Sequence, residues 1–198
     1  LPLMSYTMVK LTISNEEIND MPLISFTGKV TLITEESQCE AALKILKSEP
    51  ILGFDTETRP AFKKGESYPV CLLQLSTNDE AFLFRLNKIP LIQEIRNILA
   101  DANIIKTGVA IHDDIKGLKK LAPYEAGGFV EIADLAKNLG IKKLGLRSLA
   151  AILFDKKLSK KNKLTNWEKE SLTEQQLNYA ATDAWLSREI YLKLKSLS

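Results

Sequence analysis

The stretch Ile51-Leu52-Gly53-Phe54 carries no polar side chain, and it stops at once in Asp55-Thr56-Glu57. A short apolar run of this kind predicts a strand buried on both faces, which needs helices above and below a sheet. Period-2 geometry sends Asp55 and Glu57, two residues apart, to the same side of that sheet. Two acids are thus delivered to the end of a buried strand, an expensive arrangement that needs a reason.

The rest of the chain supplies the layers that such a strand requires. Lys29–Ile33 alternates as a strand, and Glu35–Lys47 places Cys39, Ala42, Leu43 and Leu46 on one helical face. Tyr68–Ser76 and Ala81–Leu86 read as a hairpin around Thr77-Asn78-Asp79-Glu80. Pro90 predicts a helix start that runs to Leu99, followed by a strand over Ile104–Ile111 and a helix from about Asp113 to Leu121. A short strand over Phe129–Ile132, a helix capped by Asp134 that ends near Gly140, and a helix over Leu146–Phe154 come next. In the last helix Thr173 and Gln176 have capping-box spacing, Leu172 and Leu177 the spacing of a hydrophobic staple, and the pattern continues to about Leu194. Residues 1–25, with Pro2 and Pro22, show no clear period and read as an irregular leader holding one strand at most. Residues 26–198 form a single α/β domain with a mixed sheet flanked by helices.

Composition narrows the function classes. At 198 residues, 45% apolar and 26% charged, the chain has the makeup of a globular protein. No apolar stretch approaches the roughly 20 residues of a membrane span, which predicts no membrane partner. No basic region precedes an apolar core at the N-terminus, and Cys39 and Cys71 sit among apolar neighbours as reduced core residues. Both features place the protein inside the cell, in the cytoplasm if it is bacterial.

Two further acids fall where the same crevice is expected. Asp114 follows the second apolar strand at the opening of a helix, and Asp183 lies in the final helix within Tyr179-Ala180-Ala181-Thr182-Asp183. Tyr179 precedes Asp183 by four residues and shares its helical face. Four carboxylates gathered at one sheet edge repel strongly unless a cation neutralises them. With one histidine, His112, and two scattered cysteines, the donor set selects a hard divalent cation such as Mg²⁺. A two-metal site built from carboxylates alone suits phosphoryl transfer on a phosphate ester.

At these residues the chain resembles a known family. Gly53-Phe54-Asp55-Thr56-Glu57-Thr58-Arg59-Pro60 is similar to the first motif of the DEDD 3′→5′ exonucleases. Lys106 to Ile115 resembles the second motif, and Tyr179-Ala180-Ala181-Thr182-Asp183-Ala184 the third, with Tyr179 marking the tyrosine subclass. Among its members the chain looks most like Werner-syndrome-type exonuclease domains, and less like RNase D-type enzymes. The resemblance implies a ribonuclease H-like fold and assigns Asp55, Glu57, Asp114 and Asp183 to two Mg²⁺ or Mn²⁺ ions. Of the adjacent pair it selects Asp114, and leaves Asp113 as a cap and His112 as a structural residue. It gives Tyr179 the task of orienting or deprotonating the attacking water. The products it implies are nucleoside 5′-monophosphates, cut from single-stranded or recessed 3′ ends of DNA. An RNA 3′-end substrate, or a degenerate domain that only binds nucleic acid, are the alternatives. A haloacid-dehalogenase-type phosphatase also places an aspartate after an apolar strand, but it leaves Tyr179 and Asp183 without a role.

Charge is segregated along the chain. Lys137 to Lys163 holds nine Lys/Arg against Asp155, a segment charge of +8, which leaves −6 for the rest of a chain whose net charge is +2. Arg147, Lys160, Lys161 and Lys163 are therefore candidates for backbone phosphates, or else a solvated surface. Arg59, next to the first motif, is a further candidate, and Trp167 either stacks on a base or packs at a helix start. No protein partner is inferable from the sequence.

Overall fold

Residues 9–198 are described by a computed structural model of the chain. In chain order the elements are α1 (Asn15–Asn19), β1 (Lys29–Ile33), a 3-10 turn (Glu36–Gln38), α2 (Cys39–Lys47), β2 (Ile51–Thr58), β3 (Val70–Ser76) and β4 (Glu80–Arg85). Then follow α3 (Gln93–Ala100), β5 (Ile105–Gly108), α4 (His112–Leu121), β6 (Phe129–Glu131), α5 (Ile132–Asn138), α6 (Leu146–Phe154) and α7 (Glu174–Leu197).

Six strands make one mixed sheet in the order β1-β4-β3-β2-β5-β6. β2, β3 and β4 run antiparallel to one another, while β1 pairs parallel with β4, β5 with β2, and β6 with β5. Helices α2, α3 and α4 cover one face, packing on Leu52, Phe54, Leu73 and Phe84. Helices α5, α6 and α7 cover the other, over Ile51, Ile105, Leu72 and Leu83. Each apolar side chain closed off in this way contributes about 1.5–3 kcal/mol. All seven residues of β3 are buried, as the double-sided cover requires.

β2 organises both layers. Leu52 and Phe54 turn to the α2–α3–α4 side, so Ile51 and Gly53 face α7. At Gly53 the helix comes so close that an added Cβ would lie 1.8 Å from the Ala184 carbonyl oxygen. Ala180, Ala181 and Ala184, all buried, give α7 the narrow face that this approach needs. The capping box is formed, with Thr173 Oγ1 accepting from the Gln176 N–H, and it fixes where α7 begins.

Several expected boundaries shift for local reasons. β2 runs four residues past Phe54, because Asp55 to Thr58 stay paired with β3. β5 stops at Gly108, since Ala110 adopts a left-handed φ of 55° that turns the chain into α4. Helix α3 opens at Gln93 and not at Pro90, whose carbonyl instead accepts from Ile92 N–H in a turn while Leu91 is buried. Glu131, not Asp134, caps α5, its carboxylate accepting from Ala133 N–H. Of the leader expected over 1–25, residues 1–8 lie outside the described residues, and the remainder contains α1, capped by Ser14 and Glu17. Among the described residues no helix is long and apolar enough to cross a membrane.

Candidate active site

The alternation that buries Leu52 and Phe54 on one side carries Asp55 and Glu57 to the α7 side, where Asp183 meets them. One oxygen from each of Asp55, Glu57 and Asp183 lies within 4.8 Å of the others. The close approach at Gly53 and Ala184 brings this about, because Asp183 adjoins the residue pressed on the sheet. Thr56, between the two acids, points to the opposite face, and its hydroxyl donates to Asp114 Oδ1. Asp114 is thereby tied to the same strand but stands outside the group of three. Asp113 and His112 are exposed on the first turn of α4.

Burial, joined at Asp55 and Glu57 by the neighbouring acids, raises the proton affinity of the whole cluster. Burial, then the charges of Glu57, Asp183 and Asp114, hold Asp55 well above the usual carboxylate range. Burial and the charges of Asp183 and Asp114 push Glu57 up to about 9, against a Gln74 hydrogen bond and the Lys163 charge. Asp183 is raised to about 7 by burial, opposed by hydrogen bonding with Asp55 and by Lys163. Burial also raises Asp114, and the Thr56 hydroxyl works against it. Asp183 Oδ1 is buried without a hydrogen-bond partner. An all-oxygen donor set with an unpartnered buried carboxylate oxygen fits a hard divalent cation.

Tyr179 stands one turn before Asp183, its ring 6.0 Å from that of Trp167. Burial, followed by the charges of Asp183, Glu57 and Asp55, raises its pKa further above the ordinary phenol value. The side chain is therefore held as a neutral phenol.

The basic candidates divide. A cleft of about 390 Å³ is lined by Asp55, Tyr179 and Asp183 together with Arg147, Lys160 and Lys163. Lys161 lines an adjoining cavity of about 710 Å³, which also reaches Arg147, Lys160 and Tyr179. Arg59 is half-buried, 3.5 Å from Glu168 and over the ring of Tyr68. Of the two roles open to Trp167 the structure takes packing and excludes stacking: it is fully buried with Cys71, Leu72 and Leu83, so its ring supports Tyr179 and offers no face to a base.

Three supporting residues are given no role by the sequence reading. Glu131 accepts from Ile111 N–H at 3.1 Å as well as from Ala133, fixing the turn that leads to Asp114. Gln74, buried on β3 and paired in register with Asp55, holds the Ala180 carbonyl of α7. Arg85, also buried, donates to the carbonyls of Trp167, Lys169 and Glu170 and so secures the loop that carries Trp167.

The 3′-5′ exonuclease family matches residues 30–197. The bifunctional 3′-5′ exonuclease/ATP-dependent helicase WRN of Mus musculus is 30% identical over 189 residues, which are 90% of this chain and 14% of that protein. A 3′-5′ exonuclease of Arabidopsis thaliana is 30% identical over 207 residues, covering 95% of this chain and 71% of its own length. In fold the chain resembles Escherichia coli RNase D, an exoribonuclease involved in structured RNA processing, with a TM-score of 0.77 at 23% identity over 85% of this chain and 45% of that one. The mixed sheet between two helical layers is thus of the ribonuclease H-like kind.

Proposed function

The chain belongs to the 3′-5′ exonuclease family, and from that premise we propose that it removes nucleoside 5′-monophosphates from single-stranded or recessed 3′ ends of DNA. The family is metal-dependent and an acidic cluster is present. In the proposed site Asp55, Glu57, Asp183 and Asp114 would hold two Mg²⁺ or Mn²⁺ ions. Such ions supply Lewis-acid stabilisation of charge on the phosphoryl oxygens and acidify water. The chain's own residues do the rest. The protonated Tyr179 hydroxyl donates to the attacking water and sets its line of approach to the terminal phosphodiester. Lys163, whose charge reaches Glu57 and Asp183, offsets the negative charge that a phosphate brings to the cluster. Arg147 and Lys160 on the cleft wall hold the strand by its backbone, without reading sequence.

The convergence of Asp55, Glu57 and Asp183, with Tyr179 one turn away, carries this reading. Its test is the digestion of a 5′-labelled oligonucleotide in Mg²⁺ and in Mn²⁺. Mononucleotides should leave one at a time from the 3′ end, EDTA should stop the reaction, and Asp55→Ala should abolish it while the protein stays folded. Full activity in Asp55→Ala would overturn the assignment. RNA 3′ ends are the second reading, supported by the likeness in fold to RNase D. Matched DNA and RNA strands in the same assay separate the two.

A further inference from the structure

The family match begins at residue 30, yet the segment before it is built into the rim of the cleft. Ile13 and Ile18 are buried on Ala151 of α6, which anchors α1. From there Asn15 Oδ1 and Asn19 Oδ1 accept from the Arg147 guanidinium at 3.2 and 2.8 Å. Asn19 also accepts, through its backbone carbonyl, from Lys157 Nζ at 2.9 Å. The backbone continues as a parallel bridge, with Lys157 N–H donating to Pro22 O and Ile24 N–H to Lys157 O. It ends on α7, where Ser25 Oγ donates to Asn178 Oδ1 and Phe26 N–H to Thr182 Oγ1, on either side of Tyr179 in sequence.

Two consequences follow from this course. Arg147 and Lys157 are fixed by neutral oxygens, so they are oriented without losing their charge. Leu23, 62% exposed, forms part of the wall of the 710 Å³ cavity, where Arg147, Lys157, Lys160 and Lys161 supply the cations and Glu174 is the lining acid. Apolar surface next to fixed positive charge suits a base and its phosphate, and the volume lies within the range of about 300–1,000 Å³ typical of ligand sites. Tyr179, Arg147 and Lys160 line this cavity and the catalytic cleft alike, so the two are continuous.

We infer that residues 14–26 are one wall of the strand-binding cleft, presenting Arg147 and Lys157 to the backbone of single-stranded DNA and Leu23 to a nucleotide beside the scissile phosphodiester. The inference rests on the exonuclease reading of the neighbouring site. Two substitutions test it without disturbing the core. Asn15→Asp keeps an acceptor on Arg147, and an acid suits the first turn of a helix, but it cancels the guanidinium charge. Leu23→Asp places a negative charge in the exposed wall. Binding of a 5′-fluorescein-labelled ten-residue oligo(dT) is read by anisotropy in EDTA, with Ile45→Asp on α2 as a control outside both cavities.

Each of the two variants should weaken binding about fivefold or more at low salt. Asn15→Asp should also lower the slope of log Kd against log salt by about 0.7, as expected for a single strand when one phosphate is no longer neutralised. A wall that is merely structural would leave the Asn15→Asp slope unchanged. Wild-type binding in both variants overturns the inference, even if the protein digests DNA normally. Weakened binding in the variants, together with a wild type that releases no mononucleotide on addition of Mg²⁺, would support the wall and refute the exonuclease reading. A ten-residue oligo(rU) run in parallel shows whether the wall also accepts ribose.

Discussion

The crowded carboxylates make a thermodynamic statement that can be measured without any substrate. Asp183 is raised from 3.8 to about 7 in the folded chain, mainly by burial. Its neutral form is therefore favoured by folding and its ionised form is penalised. The penalty is absent below pH 3.8, grows as the pH rises towards 7, and is complete above it. At about 1.4 kcal/mol per unit, this shift corresponds to a loss on the order of 4 kcal/mol at pH 8 in ion-free protein. Asp183→Asn removes the charge with little change of shape. In EDTA at pH 8 it should raise Tm by on the order of 10 °C, given about 2–4 °C per kcal/mol for a chain of this size. At pH 4 the two proteins should melt together. Adding Mg²⁺ should favour the wild type, which gains about 2.7 kcal/mol at a hundredfold excess over Kd, while the variant gains less. Thermal melts followed by circular dichroism, at both pH values and with EDTA or Mg²⁺, give all of these numbers. An Asn variant no more stable than wild type at pH 8 in EDTA would refute the claim that Asp183 is buried at a cost to its ionised form.

Other perturbations address the parts separately. Tyr179→Phe, which removes the hydroxyl and keeps the ring packed on Trp167, should lower kcat about a hundredfold with KM little changed, read from initial rates on a labelled oligonucleotide. Replacing Lys160, Lys161 and Lys163 together by Ala should reduce the salt dependence of oligonucleotide binding, by about 0.7 in slope for each phosphate left without its cation; an unchanged slope returns that loop to solvated surface. Gly53→Ala places a methyl group where α7 touches the sheet and should destabilise the fold by about 3 kcal/mol, measured by urea denaturation.

Where the sequence spoke through periodicity, the structure agrees closely. β1 and α6 occupy the predicted residues, and the face of α2 buries Cys39, Ala42, Leu43 and Leu46 as read. The apolar run at Ile51 disclosed the central strand and the side that its acids share. Elsewhere the deciding information was tertiary. α1 has the capping-box residues Ser14 and Glu17, but Ile18 is its only buried residue, so it shows no apolar period to betray a helix. Pro90 signalled a helix start, but its carbonyl is taken by Ile92 N–H in a turn and the helix opens only at Gln93. Asp114 was legible as a fourth acid, whereas its bond to Thr56, on the face opposite Asp55, follows only from the pleat of β2. A tryptophan near a chain of lysines looks the same in sequence whether it stacks on a base or supports a tyrosine. Only the packing around Trp167 decides between the two.

The close approach of Gly53 and Ala184 makes an absent side chain the gauge of the site. The distance from helix to sheet sets how far Asp183 stands from Asp55, and nothing compressible lies between the two backbones. Acidic residues could be retained intact while a single methyl group at the gauge, several bonds away from any of them, altered the spacing that lets them act in concert. Inventories of catalytic side chains therefore understate what a working copy of this fold must preserve. A glycine at this point of β2 and a small residue at the matching turn of α7 belong with the acids as a criterion for telling active copies from inert ones.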